Sequence, residues 1–374
     1  MATEKSQIIN KAAYLTAPKA KPLKVDNAPY TSPKAGELTV RNRAIAVNPV
    51  DRLKQDSGNF LYGWLKYPIV LGFDLAGEVV EVGKDVTAFK LGDRVLGFAN
   101  GMDKPRNSPA ESAFQLYTVL PETLVSHIPD DMSFESAAVI PLGMATAACG
   151  LYEKDQLGLQ YPSVEAKLTG KALIIWGGAT SVGCNAIQLA VASGYEVVTT
   201  CSPRNFALCK RLGASHCFDY NSPTVVADVV AVLKDKILAG GMAIGDGGAE
   251  ACSAVMQRVK CDNKFVALAS YPTLNPPPKT LFTLRTALHF ISWNIRWWIS
   301  SRRSGVRSKF IWGSSMAYNN ISRTLFGSFL PMVLAERKYV AAPEPQVVGH
   351  GLEYIQEALE LQKTARARKV VVSL

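Results

Sequence analysis

Leu173-Ile174-Ile175-Trp176-Gly177-Gly178-Ala179-Thr180-Ser181-Val182-Gly183 carries an apolar run straight into a glycine-rich turn. A helical stretch follows from Val182 to Ser193 and closes at Gly194. Strand, glycine turn and helix in that order aim free backbone N–H groups at one point, where they can hold a pyrophosphate. Gly178 and Gly183 take the outer positions of G-x-G-x-x-G, and Thr180 stands in the middle. The Thr180 hydroxyl is therefore a candidate phosphate donor, with Ser181 and Val182 opening the helix beside it. A plain strand-to-helix turn is the competing reading.

Outward from this turn the rhythm repeats. Short apolar runs at Ala172–Trp176, Glu196–Thr200, His216–Asp219, Met242–Ile244, Lys264–Ala269 and Ser308–Trp312 alternate with helical stretches at 205–212 and 225–233. Strands alternating with helices predict an α/β fold, a doubly wound parallel sheet with right-handed crossovers. A site for unphosphorylated dinucleotide usually carries an acid at the end of the second strand, for the ribose 2′-OH. Here Glu196 lies at that strand's start, and Cys201-Ser202-Pro203-Arg204-Asn205 follows its end. A hydroxyl and a guanidinium suit a 2′-phosphate, so Ser202, Arg204 and Asn205 point to NADPH.

Residues 1–139 read differently, as short strands (11–15, 38–47, 78–82) separated by Pro and Gly. The helix at 353–362 and strand at 369–372 are expected to return to this mostly β unit. The expected division is thus 1–139 with 317–374, and 140–316 for the dinucleotide-binding domain.

Composition excludes several classes. The 374 residues hold 48% apolar and 19% charged residues, a mix that buries a core. Seven cysteines form no CxxC pair and read as reduced thiols, and Met1–Ser6 lacks the apolar stretch of a secretory signal. A cytoplasmic protein is expected, with no apolar run approaching the ~18–20 residues of a membrane span. The formal charge is +10, from 41 Lys+Arg and 31 Asp+Glu. Nine basic residues and no acid lie between Asp262 and Glu336. Such a bias favours an anionic partner; no nucleic-acid motif accompanies it, leaving a phosphorylated cofactor, an acidic carrier protein or an anionic membrane surface.

Asn48-Pro49-Val50-Asp51, Gly72-Phe73-Asp74-Leu75-Ala76-Gly77-Glu78-Val79, Gly92-Asp93-Arg94-Val95 and Ala138-Val139-Ile140-Pro141-Leu142-Gly143, together with the glycine turn, resemble the medium-chain dehydrogenase/reductase superfamily. Ser202-Pro203-Arg204-Asn205 and Phe218-Asp219-Tyr220 are similar to its zinc-free fungal members, among them trans-acting enoyl reductases that partner polyketide synthases. The resemblance implies a GroES-like catalytic domain, a Rossmann domain and NADPH in the cleft between them. It also implies Tyr220 near the adenosine end of the cofactor and Leu268-Ala269 near the nicotinamide; Asn48 joins the cofactor-binding candidates. Zinc members would have a Cys near position 51 and Gly-His-Glu at 72–74; Asp51 and Phe73 supply neither thiolate nor imidazole, so no metal is expected.

Without a Lewis acid, conjugate hydride transfer to an activated C=C remains feasible. Lys54, in the cleft by resemblance, is the expected cation for a carbonyl or the cofactor, and Asp51 completes the candidate catalytic pair. Tyr62 and Tyr67 are alternative proton donors. The expected function is an NADPH-dependent, zinc-independent enoyl reductase acting on a large apolar, polyketide-type small molecule, free or carrier-bound. A quinone or aldehyde reductase, or a redox-inactive scaffold or cyclase, are the alternatives.

Residues 272–306 depart from the family pattern. After Asn275-Pro276-Pro277-Pro278, Leu281, Leu284, Leu288, Ile291, Ile295 and Trp298 recur at three- and four-residue steps, with Arg285, His289, Ser292, Arg296 and Arg303 on another face and Phe290, Trp293 and Trp297 extending the apolar part between them. Extra packing, a homodimer contact, a lid and an interfacial helix over 280–303 all fit this pattern; the chain is expected as monomer or homodimer.

Overall fold

A computed structural model describes residues 8–272 and 282–374. The chain divides into two compact units, 1–142 with 317–374, and 143–316.

In the second unit, β1 (Lys171–Trp176), β2 (Glu196–Thr200), β3 (His216–Phe218), β4 (Ile237–Ala243), β5 (Phe265–Leu268) and β6 (Arg307–Phe310) form one sheet in the order 3-2-1-4-5-6. Every pairing in it is parallel. That order reverses direction beside β1, which makes the carboxyl ends of the strands the place for a ligand. Ala172 to Trp176 are all buried, the signature of a strand covered on both faces. The helices α1 (Ser181–Ala192), α2 (Phe206–Arg211), α3 (Val225–Leu233), α4 (Gly248–Met256) and α5 (Phe282–Ser304) supply that cover and its flanks. Register aligns Trp176, Thr200 and Phe218, so β1, β2 and β3 end together.

The apolar residues of α5 divide between an exposed and a buried side. Leu288, Ile291, Ile295 and Trp298 are 57%, 53%, 55% and 58% exposed. The buried face carries Trp293 and Trp297 instead, stacked with ring centroids 5.6 Å apart and packed into the sheet's hydrophobic cluster. Each indole has a partner: Trp293 Nε1 donates to Glu250 Oε1 at 2.7 Å, and Trp297 Nε1 to Ser308 Oγ at 2.7 Å. The two indoles fill the hydrophobic cluster and satisfy their N–H groups on Glu250 and Ser308, and with that face turned inward the stripe faces outward. Residues 273–281, including Asn275–Pro278 and Leu281, lie outside the described residues.

In the first unit, Glu37–Ala46 is the central strand of a seven-stranded sheet, pairing with Asp74–Val82, Tyr117–Pro121 and Lys369–Ser373. The return of 369–373 to this unit places a late strand between Pro345–His350 and Glu37–Ala46. A three-stranded sheet of Lys24–Ala28, Asn10–Leu15 and Ile69–Val70 completes it. The unit reaches Leu142 because the Leu142 N–H donates to Asp74 Oδ1 at 2.6 Å. The stretch Phe134–Tyr152 has the length and composition of a membrane span, yet 78% of its apolar window is buried inside the structure, as in the core helix of a globular fold. The seven cysteines are free thiols.

Burial assigns opposite fates to two neighbours on α5. Trp297→Ala is expected to lose about 3–5 kcal/mol, whereas Ile295→Ala stays within about 0.5 kcal/mol. Denaturant unfolding of both variants checks this; equal losses would place the stripe inward.

Candidate functional site

The glycine turn is held by backbone crowding. A Cβ at Gly183 would lie 2.3 Å from the Gly177 carbonyl oxygen, and one at Gly178 would lie 2.2 Å from Thr199 Oγ1. Gly177 itself adopts φ of 88°, where side chains are strained. Thr180 caps α1: its Oγ1 accepts from the Gly183 N–H at 3.0 Å and donates to the Gly177 carbonyl at 2.8 Å. Its proton is therefore spent inside the turn, and the expectation that it donates to a phosphate is corrected. The free groups lie one residue on. Ser181 Oγ is buried without a hydrogen-bond partner among the described residues, facing Gly143 so closely that a Cβ there would sit 2.5 Å away. The first-turn amides of Ser181 and Val182 have no intrahelical acceptor. An orphaned hydroxyl beside a helix N-terminus fits a phosphate.

At the end of β2, Ser202 Oγ lies 3.2 Å from Tyr220 Oη. Arg204 is exposed on the following turn of Pro203–Asn205, with no ion pair among the described residues, and Asn205 N–H donates to the Ser202 carbonyl at 2.8 Å. Glu196 sits at the other end of the strand, paired with Lys236. Asp219 accepts from Asn221 through both its backbone and side-chain N–H. The cluster thus offers hydroxyls and a guanidinium, with no carboxylate aimed at a ribose. Leu268 and Ala269 close β5, where the Ala269 N–H donates to the Ala243 carbonyl at 2.9 Å; a small recess there is shared with Ser270 and Trp293.

The catalytic candidates belong to the first unit. Lys54 is fully buried on the helix Pro49–Ser57. Its Nζ donates to the carbonyls of Gly58 at 2.9 Å, Leu61 at 2.9 Å and Tyr62 at 3.3 Å. Three protons on three carbonyls leave none for a substrate oxygen, so the expected direct role of Lys54 gives way to fixing the loop 58–62. Burial lowers its pKa. The Tyr67 ring lies 5.2 Å from Nζ, and its hydroxyl is buried without a partner among the described residues. Tyr62 is buried in an aromatic cluster, and burial raises its pKa.

Asp51 accepts from the Asn48 N–H at 2.8 Å through Oδ2, while Oδ1 is buried without a partner among the described residues. Its burial, with Asp74 nearby, pushes its pKa up to about 7. Asn48 in turn donates from Nδ2 to Asp74 Oδ2 at 2.9 Å and accepts from Lys369. Lys369 and Asp74 form a buried ion pair at 2.7 Å. So Asn48 and Asp51 belong to one interior polar network rather than to an open surface. Sequence reading missed Asp74 and Lys369 as partners, because 295 positions separate them and no local spacing links them.

Phe73 stands where the resemblance implies a histidine in zinc-binding members. Its ring stacks on Phe98 with centroids 5.9 Å apart and leans on Tyr62 at 6.4 Å. No group of three His, Cys, Asp or Glu among the described residues could hold a metal ion. The donor set does not fit zinc.

Comparison with known proteins identifies the family and the fold. Residues 34–130 match the alcohol dehydrogenase GroES-like domain. Dehydrogenase pigH of Monascus ruber is 53% identical over 98% of this chain and 99% of its own length. The chain belongs to the medium-chain dehydrogenase/reductase superfamily. Trans-enoyl reductase himH of Aspergillus japonicus is 36% identical over 99% of this chain and 98% of its own. The crystal structure of CurK enoyl reductase superposes with a TM-score of 0.70 at 17% identity, covering 97% of this chain and 99% of that one, which establishes the fold. The superfamily is one of oxidoreductases, and its fold implies a nicotinamide coenzyme.

The buried Asp51 gives a pH signature. Its pKa lies above the ordinary value of 3.8, so between ~pH 4 and ~7 the folded state holds a proton that the unfolded chain has lost. Stability from this group therefore falls as pH rises through that window, by about 4 kcal/mol at most. Asp51→Asn, which cannot ionise, is expected to gain stability relative to the parent on going from pH 5 to pH 8. Urea unfolding at the two pH values checks it; a constant difference would show that Asp51 titrates normally.

Proposed function

We propose that this chain is an NADPH-dependent, zinc-independent reductase of a C=C conjugated to a carbonyl. Its substrate is a large apolar small molecule of the polyketide type, free or tethered to a carrier protein. The observation that carries the reading is the Ser202–Tyr220 pair beside the unpaired Arg204. A guanidinium and two hydroxyls match a 2′-phosphate, and a carboxylate for a bare 2′-OH is missing among the described residues of that corner. The names of the relatives, a trans-enoyl reductase among them, support the reaction class. Phe73 in its aromatic stack supports a route without zinc.

The nicotinamide, when bound, would supply a hydride for the β-carbon of the conjugated C=C, the substrate's carbonyl would take up the charge, and water would be the source of the proton at the α-carbon. Thr180 fixes the turn, so that the amides of Ser181 and Val182 and the Ser181 hydroxyl meet the pyrophosphate. Gly178 lets the backbone approach closely, and Asn205 braces the turn that carries Arg204. Leu268 and Ala269 give the nicotinamide an apolar seat. Asp51, Asn48 and Lys54 act as positioning residues: the first two anchor the start of the helix Pro49–Ser57, and Lys54 holds the loop after it.

Arg204→Ala is expected to raise KM for NADPH about ten- to a hundredfold, the loss of a charge-assisted phosphate contact, while NADH is barely affected. Steady-state kinetics with both coenzymes reads this; equal losses would move the 2′-phosphate elsewhere. Stopped-flow NADPH oxidation should proceed with enones and survive a zinc chelator. Turnover confined to quinones would overturn the enoyl reading, and inactivation by the chelator would overturn the zinc-free one.

A further inference from the structure

The helix α5 is apolar on two opposite sides. Trp293 and Trp297 pack inward, while Leu288, Ile291, Ile295 and Trp298 form an outward ridge, each of them more than half exposed. Their steps of three, four and three residues place them along one line of the helix, about 15 Å long. Four large apolar side chains in an unbroken exposed row form a patch that calls for an occupant.

Charge selects among the occupants. Arg285, Arg296 and Arg303, spaced by 11 and 7 residues, share a single stripe on one flank of the ridge, and all three are exposed. No Asp or Glu occurs anywhere on α5. On that flank a groove of about 370 Å³ is lined by Gln257, Arg296, Ile299, Ser300, Arg303 and Ser304. Two guanidiniums, two hydroxyls and an amide around one volume suit a phosphate headgroup. On the ridge itself, the Arg302 guanidinium lies 4.7 Å from the Trp298 ring. Such a side chain can lie along an apolar surface while its charge reaches the polar layer.

A second copy of the chain fits poorly. Two-fold pairing ridge to ridge would set arginine flank beside arginine flank with no acid on either helix. We propose that this face docks on an anionic phospholipid bilayer, with the ridge in the headgroup–acyl boundary and the arginines on lipid phosphates. The helix lies on the membrane and does not cross it. The inference is independent of the coenzyme and substrate assigned above.

Co-sedimentation of the full chain with vesicles tests it, comparing phosphatidylcholine alone with phosphatidylcholine plus phosphatidylserine. Binding is expected to the phosphatidylserine vesicles, weakening as salt rises, and to be slight with phosphatidylcholine alone. Arg296→Gln with Arg303→Gln should lower partitioning about thirtyfold. Ile291→Ser with Ile295→Ser should abolish it while leaving the thermal midpoint unchanged, since both positions are exposed. A blue shift of tryptophan emission on binding should be lost in Trp298→Phe. Equal binding to both vesicles, or none to either, overturns the proposal. So does wild-type partitioning by the isoleucine variant. Self-association in sedimentation velocity, or binding to an isolated acyl carrier protein without vesicle binding, would assign the ridge to a protein instead.

Discussion

The approach of Gly183 to the Gly177 carbonyl constrains the second unit at its ligand end, because the backbone there leaves no room for a methyl group. It sets the start of α1 against the end of β1, and the parallel register then carries the alignment to β2 and β3. Thr180 holds the turn from within by accepting one hydrogen bond and donating another. A glycine in its place would leave the Gly183 amide to be satisfied elsewhere. The usual middle glycine is thus replaced by a residue that stiffens the loop, and the hydroxyl left without a partner among the described residues is that of Ser181.

The first unit solves a different problem, that of charge inside a sheet. Asp74 and Lys369 face each other in the interior, Asn48 bridges them, and the Leu142 amide satisfies the remaining carboxylate oxygen. Removing either ion would leave the other buried and uncompensated. Lys54 shows the alternative solution, an ammonium held by three carbonyls with no carboxylate. Phe73, Phe98 and Tyr62 fill the neighbouring position with rings. Interior polarity in this unit serves to place a helix, a loop and a domain edge.

What was legible in the sequence was what depends on neighbours in the chain. The six strands of the parallel sheet, the glycine turn and the helix Val225–Leu233 follow from short apolar runs and from Gly and Pro between them. The Ser202–Tyr220 contact could be anticipated only through family likeness, since 18 residues separate the two. Three things stayed hidden. Periodicity shows that α5 has apolar faces but not which one a sheet edge will bury, and the paired indoles decided it. A threonine hydroxyl and a lysine ammonium advertise donors, yet their acceptors, the carbonyls of Gly177 and of 58, 61 and 62, carry no side-chain signal. The Asp74–Lys369 pair joins strands from nearly opposite ends of the sequence.

That pairing has a consequence for biosynthesis. Residues 143–316 contain everything their sheet requires once they leave the ribosome, whereas the sheet begun by residues 37–98 lacks a strand until 369–373 emerge. Until then Asp74 lacks its Lys369 partner and the Ala44–Ala46 end of the central strand is bare on one side, a template for wrong pairings. Vectorial synthesis therefore inverts the order of the chain: the middle can mature first, and the amino-terminal part must wait for its closing strand.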